Sequence, residues 1–240
     1  MKTRFLTIIL LFFVSACRST DSVPFLKFEG IKGNIMSVKE SHYEAESKFG
    51  DIFPGDLSYV IKKEYDSEGH NTLFAHYNED GESVYEAKNI FSKGEWIETT
   101  TKSSYSNSKT KQTVIERKKN YTKIEVVEGK DTSIFEIKAS GLISKTYNDK
   151  GIVICDISYN TIGQVLEQRN FDDDGNITFR IVNEFDNDGL PSKTISYYST
   201  WDDVQTFTYK DFDKKGNWTT QIVYSDDEPV SLVKREIIYR

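Results

Sequence analysis

Residues 171–189 read Phe171-Asp172-Asp173-Asp174-Gly175-Asn176-Ile177-Thr178-Phe179-Arg180-Ile181-Val182-Asn183-Glu184-Phe185-Asp186-Asn187-Asp188-Gly189. A five-residue signature occurs at both ends of this stretch: an aromatic ring, Asp or Asn, two variable residues, and Gly. Between the two copies, Ile177, Phe179, Ile181 and Phe185 share one parity and Thr178, Arg180 and Glu184 the other, which is the period-two pattern of a half-buried strand. Asp at the first turn position can accept hydrogen bonds from amides further along. Gly at the fourth supplies the left-handed conformation that closes a type I turn with a bulge. The stretch therefore predicts turn, strand, turn.

The signature recurs along the chain, at Tyr65-Asp66-Ser67-Glu68-Gly69, Tyr77-Asn78-Glu79-Asp80-Gly81, Tyr147-Asn148-Asp149-Lys150-Gly151, Tyr159-Asn160-Thr161-Ile162-Gly163 and Phe212-Asp213-Lys214-Lys215-Gly216. Composition alone would produce about 0.2 matches, so seven copies are a true internal repeat. Elsewhere the strand pattern repeats as well: Leu57, Tyr59, Ile61 and Tyr65 oppose Ser58, Lys62 and Glu64. Spacings of 12 to 14 residues leave about eight to ten strand residues per turn. A single such ribbon cannot bury one face, so the expectation is an all-β domain: a curled antiparallel β-meander built from hairpin repeats, with little helix. Ser41 to Phe49 is the one short helix candidate. Residues 98–140 lack the signature, yet contain strand-like runs at Tyr121 to Val127 and Ser133 to Ile137, and are expected to form an irregular middle of a single domain spanning 28–240, either a longer-looped part of one sheet or the junction between two smaller ones.

On these residues, and most closely on Phe212-Asp213-Lys214-Lys215-Gly216-Asn217-Trp218, the chain resembles the YD-repeat family, whose larger members are the Rhs proteins, and especially its small lipoproteins of Bacteroidetes type. The resemblance covers about residues 29–97 and 141–240. It implies extended β-sheet and an envelope location and no single activity. Rhs shells use many more repeats to enclose a toxin, so encapsulation is not expected here.

The N-terminal residues predict a compartment. Lys2 and Arg4 precede an apolar run from Phe5 to Val14, too short to span a bilayer, which takes roughly 20 apolar residues. Val14-Ser15-Ala16-Cys17 resembles the bacterial lipobox, which implies that residues 1–16 are a signal peptide and that Cys17 carries the acyl chains. Each buried methylene contributes about 0.8 kcal/mol, so two or more chains hold stably. Residues 17–27 then form the attachment and a brief spacer. By resemblance to lipoprotein sorting, Arg18 favours the outer membrane, with the domain facing either the periplasm or the cell surface.

The formal charge is −7, becoming −9 once Lys2 and Arg4 are removed, which argues against nucleic acid as a partner. With Cys17 consumed by lipid, Cys155 has no partner for a disulfide and reads as a small core residue. His42, His70 and His76 lack ligand-spaced partners, so no metal site is expected. The acidic turns at Asp172 and Asp186 begin like calcium loops, but the twelfth positions are Asn183 and Tyr197 where a carboxylate is required. No nucleophile elbow, phosphate loop or zinc-protease motif is present, so no catalytic residue and no cofactor are assigned. The remaining clue is aromatic. Trp96, Trp201 and Trp218, with Tyr198 beside Tyr197, can furnish flat surfaces that stack on sugar rings or anchor a protein, and Trp201, off the signature, is the foremost. The expectation is a non-catalytic envelope lipoprotein binding a protein or glycan partner. Its alternatives are an assembly or lipid-carrying factor using a concave sheet face, and an envelope glycan hydrolase.

Overall fold

The computed structural model describes residues 31–92, 95–103, 107–128, 131–138 and 141–240. The export segment, Cys17 and the spacer lie outside them. The described residues form sixteen strands and no helix: β1 (Ile35–Lys48), β2 (Asp51–Tyr65), β3 (Asn71–Asn78), β4 (Ser83–Ser92), β5 (Glu95–Ser103), β6 (Asn107–Arg117), β7 (Tyr121–Glu128), β8 (Asp131–Lys138), β9 (Ile143–Tyr147), β10 (Val153–Tyr159), β11 (Val165–Phe171), β12 (Ile177–Phe185), β13 (Pro191–Tyr197), β14 (Asp202–Phe212), β15 (Trp218–Ser225) and β16 (Glu228–Tyr239). Each strand pairs antiparallel with its sequence neighbours, and β16 pairs with β1, with Glu40 opposite Arg235 and Val38 opposite Ile237. The meander is thus a closed up-and-down barrel and leaves no open sheet.

Two expectations are corrected. The Ser41 to Phe49 stretch is strand through Lys48, because Val38, Glu40 and His42 alternate inward against Lys63, Ile61 and Tyr59 of β2. Residues 98–140 are not an irregular middle. They carry regular strands β5 to β8, whose Thr-rich and Val/Ile-rich alternation supplies the inward face without the signature turn.

The signature turns do the work their residues predict. Asp172 Oδ1 accepts from the amides of Asp174 at 3.0 Å and Asn176 at 2.8 Å, and Gly175 sits at φ 84°. At six of the seven signatures the ladder register shifts just before the aromatic residue, between Glu64 and Tyr65, His76 and Tyr77, Thr146 and Tyr147, Ser158 and Tyr159, Asn170 and Phe171, and Glu184 and Phe185. A bulge there twists the strand into its turn, so simple parity fails at the ring itself. Tyr65 is buried, whereas Phe212 is exposed.

Register sorts the strand residues into two walls. The inner carries buried side chains such as Val38, Ala87, Thr99, Thr110, Ile124, Phe135, Cys155 and Val233. The outer carries cross-strand ion pairs, Lys39 with Glu236, Lys109 with Glu98, Arg169 with Asp156 and Arg180 with Glu167, beside apolar side chains such as Ile90, Val127, Val182, Ile195, Val204, Ile222 and Leu232.

In an all-antiparallel barrel the turns fall at two ends. The chain enters β1 and leaves β16 at the same end, where Asn217 donates to the Lys32 carbonyl at 2.8 Å and accepts from the Lys32 amide at 2.6 Å. Both apolar core clusters lie toward this end: Ile31, Ile35, Val38 and Tyr65 in one, and Trp96, Ile124, Val126, Phe135, Ile137 and Ile143 in the other. The opposite end, here called the mouth, has the turns before β2, β4, β6, β8, β10, β12, β14 and β16.

Candidate functional site

The mouth gathers the rings that the core does not use. On β1, β2 and β3, inward parity places His42 against Tyr59, stacked at 4.1 Å between centroids, and the edge of His76 meets Tyr59 at 5.1 Å. Burial lowers the His42 pKa to about 4, with Lys63, His76 and Arg235 adding to the effect and Glu40 opposing it. His42 is therefore neutral at pH 7, and its Nε2 has no hydrogen-bond partner among the described residues. Burial also lowers His76.

On β12 and β13 a second aromatic group stands at the mouth. Phe179 lies 4.9 Å from Tyr198, and Tyr198 stacks on Trp201 at 4.1 Å with an interplanar angle of 14°. The turn between β13 and β14 holds this pair, since the Tyr198 amide donates to the Trp201 carbonyl at 2.9 Å. Trp201 is 56% exposed and Tyr198 41%. Below them the inner wall of β11 to β14 is a ladder of amides and hydroxyls. Gln168 donates to Asn170 Oδ1 at 3.1 Å, Thr194 to Asn183 Oδ1 at 2.8 Å, and Gln205 to Asp203 Oδ2 at 3.0 Å. No residue of these four strands is fully buried on either face, so the ladder stays accessible.

Deeper, on β1, β2 and β16, lies a charged cluster. Arg235 donates twice to Glu40 Oε1, at 2.8 and 2.5 Å, Lys63 stands 3.9 Å from Glu40 Oε2, and the guanidinium lies 3.3 Å from the Trp218 ring centroid. Burial pushes the Glu40 carboxyl up, but Lys63 and Arg235, with a smaller contribution from His42, outweigh it and hold it well below the ordinary carboxylate range.

The four aromatic candidates thus divide. Tyr198 and Trp201 come together and face solvent. Trp96 and Trp218 are buried and present no open ring face. Trp96 donates to Thr99 Oγ1 at 2.8 Å, and Thr99 in turn to Asn89 at 2.6 Å, which makes it a core residue with a satisfied indole. Sequence reading overlooked the His42, Tyr59 and His76 group. Its signal was available: the three share inward parity once the hairpins of β1 to β3 are aligned. His70, by contrast, lies at the other end, bonded to Asp66 at 2.9 Å. Cys155 is buried, and burial raises its thiol pKa to about 12, so it is not a nucleophile.

On the outer wall, an open groove of about 600 Å³ is lined by Tyr121, Glu136, Lys138, Lys145 and Asp156 among others. Its two carboxylates are both engaged. Glu136 accepts from Ser144 and Tyr147 at 3.0 Å each, and Asp156 accepts from Arg169 at 2.7 Å. No group of three or more His, Cys, Asp or Glu residues is placed to hold a metal among the described residues.

These features define a closed sixteen-strand barrel with an outer wall of ion pairs and apolar side chains and an aromatic, polar mouth. No family model and no curated protein matches the chain. Among solved structures it is similar to a porin-like protein from Bacteroides uniformis, at 11% identity and TM-score 0.40 over 85% of this chain and 98% of that one. A porin-like protein from Bacteroides vulgatus matches at 11% and 0.39, over 87% and 99% of the two chains. A LolA superfamily protein from Nitrosomonas europaea matches at 6% and 0.28, over 89% and 90%. At these scores the fold rests on the strand order of this chain itself.

Proposed function

We propose that the chain is a non-catalytic envelope lipoprotein, anchored in the outer membrane by acyl chains on Cys17, whose barrel mouth binds a glycan partner. The stacked, exposed Tyr198–Trp201 pair above an accessible amide and hydroxyl ladder carries this reading. Sugar rings present apolar faces that stack on aromatic planes and equatorial hydroxyls that bond to side-chain amides. The YD-like repeat and its small-lipoprotein resemblance support the same envelope setting. A carrier of acyl chains would want an apolar inner wall, and in β11 to β14 Gln168, Asn170, Asn183, Thr194 and Gln205 interrupt Phe179, Ile181 and Phe207 on that wall. A hydrolase would want free converging carboxylates, and the groove carboxylates are tied to neighbours.

The test is a titration with neutral oligosaccharides, read by tryptophan fluorescence, in the intact protein. Trp201 is the exposed indole, so its emission should respond, and Trp201→Ala should weaken binding by about tenfold or more while leaving thermal stability unchanged. Binding that is indifferent to both Trp201→Ala and Tyr198→Ala would overturn the assignment of the site, and absence of binding across the panel would overturn the glycan.

A further inference from the structure

The two ends of the barrel carry opposite charge. At the mouth, the turns Asn78–Ser83, Phe171–Ile177 and Ser225–Glu228 hold three carboxylates each and no basic residue. At the end where the chain enters and leaves, Arg117, Lys118, Lys119 and Lys138 form one exposed arc on adjacent turns, and Lys32, Lys214, Lys215 and Arg240 form another. Asp66, Glu68, Asp186, Asp188 and Asp213 also sit there, and Glu116 pairs with Lys118 at 2.8 Å, which leaves eight basic side chains against six acidic ones.

From this polarity we infer that the basic end is a docking surface for anionic lipid headgroups and that it seats the barrel upright, mouth away from the bilayer. The inference rests on the tether at Cys17 for proximity, and the charge asymmetry adds an orientation that attachment alone does not impose. Strands of eight residues separate the ends by about 25 Å, more than twice the Debye length of about 10 Å at 0.1 M salt, so the acidic mouth does not cancel the attraction at the basic end. The same mouth is repelled by an anionic leaflet, which disfavours the inverted and recumbent poses. Lys32 and residue 31 begin at this end, so the segment leading back to Cys17 leaves the barrel on the side that would face the membrane.

The experiment uses the acylated full-length mature protein on vesicles of phosphatidylcholine, with or without about one third phosphatidylglycerol, read by flotation and by hydrogen exchange. On anionic vesicles at low salt, amides in the turns Arg117–Tyr121 and Phe212–Trp218 should exchange about fivefold more slowly, with the mouth turns unchanged, and high salt should erase the difference. The variant Arg117→Glu/Lys118→Glu/Lys119→Glu, exposed residues at the end of β6 and in the turn after it, should lose that protection, as should Lys214→Glu/Lys215→Glu if the first variant folds poorly. Flotation with both compositions but equal protection, or protection at the mouth, overturns the orientation and leaves the tether standing. Flotation with anionic vesicles alone, with the basic end protected, removes the tether and upholds the docking surface. Flotation with neither composition removes both.

Discussion

Replacing Glu40 with Gln should be among the most costly single substitutions on the inner wall, and its size follows from the geometry. In the folded protein Glu40 Oε1 accepts both Arg235 bonds while Lys63 stands 3.9 Å from Oε2, and the Arg235 side chain is only 7% exposed. Gln keeps an acceptor but removes the charge, which leaves a guanidinium and an ammonium facing one another in a place with little water. Breaking a buried pair by removing one partner costs about 3–5 kcal/mol. For a domain of this length each kcal/mol moves the midpoint by about 2–4 °C, so Tm should fall by roughly 6–20 °C, measured by circular dichroism with urea unfolding as the second readout. The acid limb gives a further check. Because the Glu40 carboxyl is held below its ordinary 4.5, it contributes stability above that value which is lost as the pH falls through the folded value, and the Gln variant should lack this part of the acid transition. A double replacement, Glu40→Met with Arg235→Met, should recover much of the loss, since well-packed apolar residues can match a buried pair. A Tm within 2 °C of wild type for Glu40→Gln would show that the cluster is solvated, and the account of the inner wall would fail.

Two other perturbations separate neighbouring claims. His42 has a folded pKa depressed by burial to about 4, so the unfolded chain binds the extra proton as the pH falls from 6.5 to 4, and stability should drop by roughly 3 kcal/mol across that window, then level off. In His42→Gln, urea midpoints should be flat over the same window; a retained slope would assign it to other groups. Asn217→Ala removes the bonds to the Lys32 amide and carbonyl and to the Tyr239 hydroxyl, and should cost about 2–4 kcal/mol with early exchange of residues 31–35, whereas intact protection there would show that packing of Ile31 holds the segment.

Much of the architecture is written locally, and the parts that are not have identifiable causes. Period-two alternation and the aromatic–Asp/Asn–x–x–Gly turns state that the chain is all-β and where most hairpins lie, because each turn residue acts within five positions of itself. Closure is different: it depends on Val38, Glu40 and His42 meeting Ile237, Arg235 and Val233 some 190 residues away, a register that no local pattern encodes. In the middle the strand-like runs of β7 and β8 were legible, but the hairpins joining β5 to β8 were not, because they turn without the signature. The second half of β1, from Ser41, read as a short helix because polar residues such as Glu44 and Glu46 interrupt its apolar alternation. For the site, Trp201 was legible from its break in the repeat. Trp218 was not, since it follows a signature like a surface residue yet lies beneath Arg235.

The closure of β16 onto β1 also limits how this molecule can meet other chains. Through the body of the barrel every strand has two neighbours, so rows of free amides and carbonyls, the common route by which sheets capture extended peptides and by which they aggregate, are confined to the tip of the β1–β2 hairpin, where residues 51–57 pair with β1 alone. A partner elsewhere must be recognised through side chains at the rim or on the wall. A crowded compartment can then hold many copies of such a barrel with little joining of their sheets edge to edge.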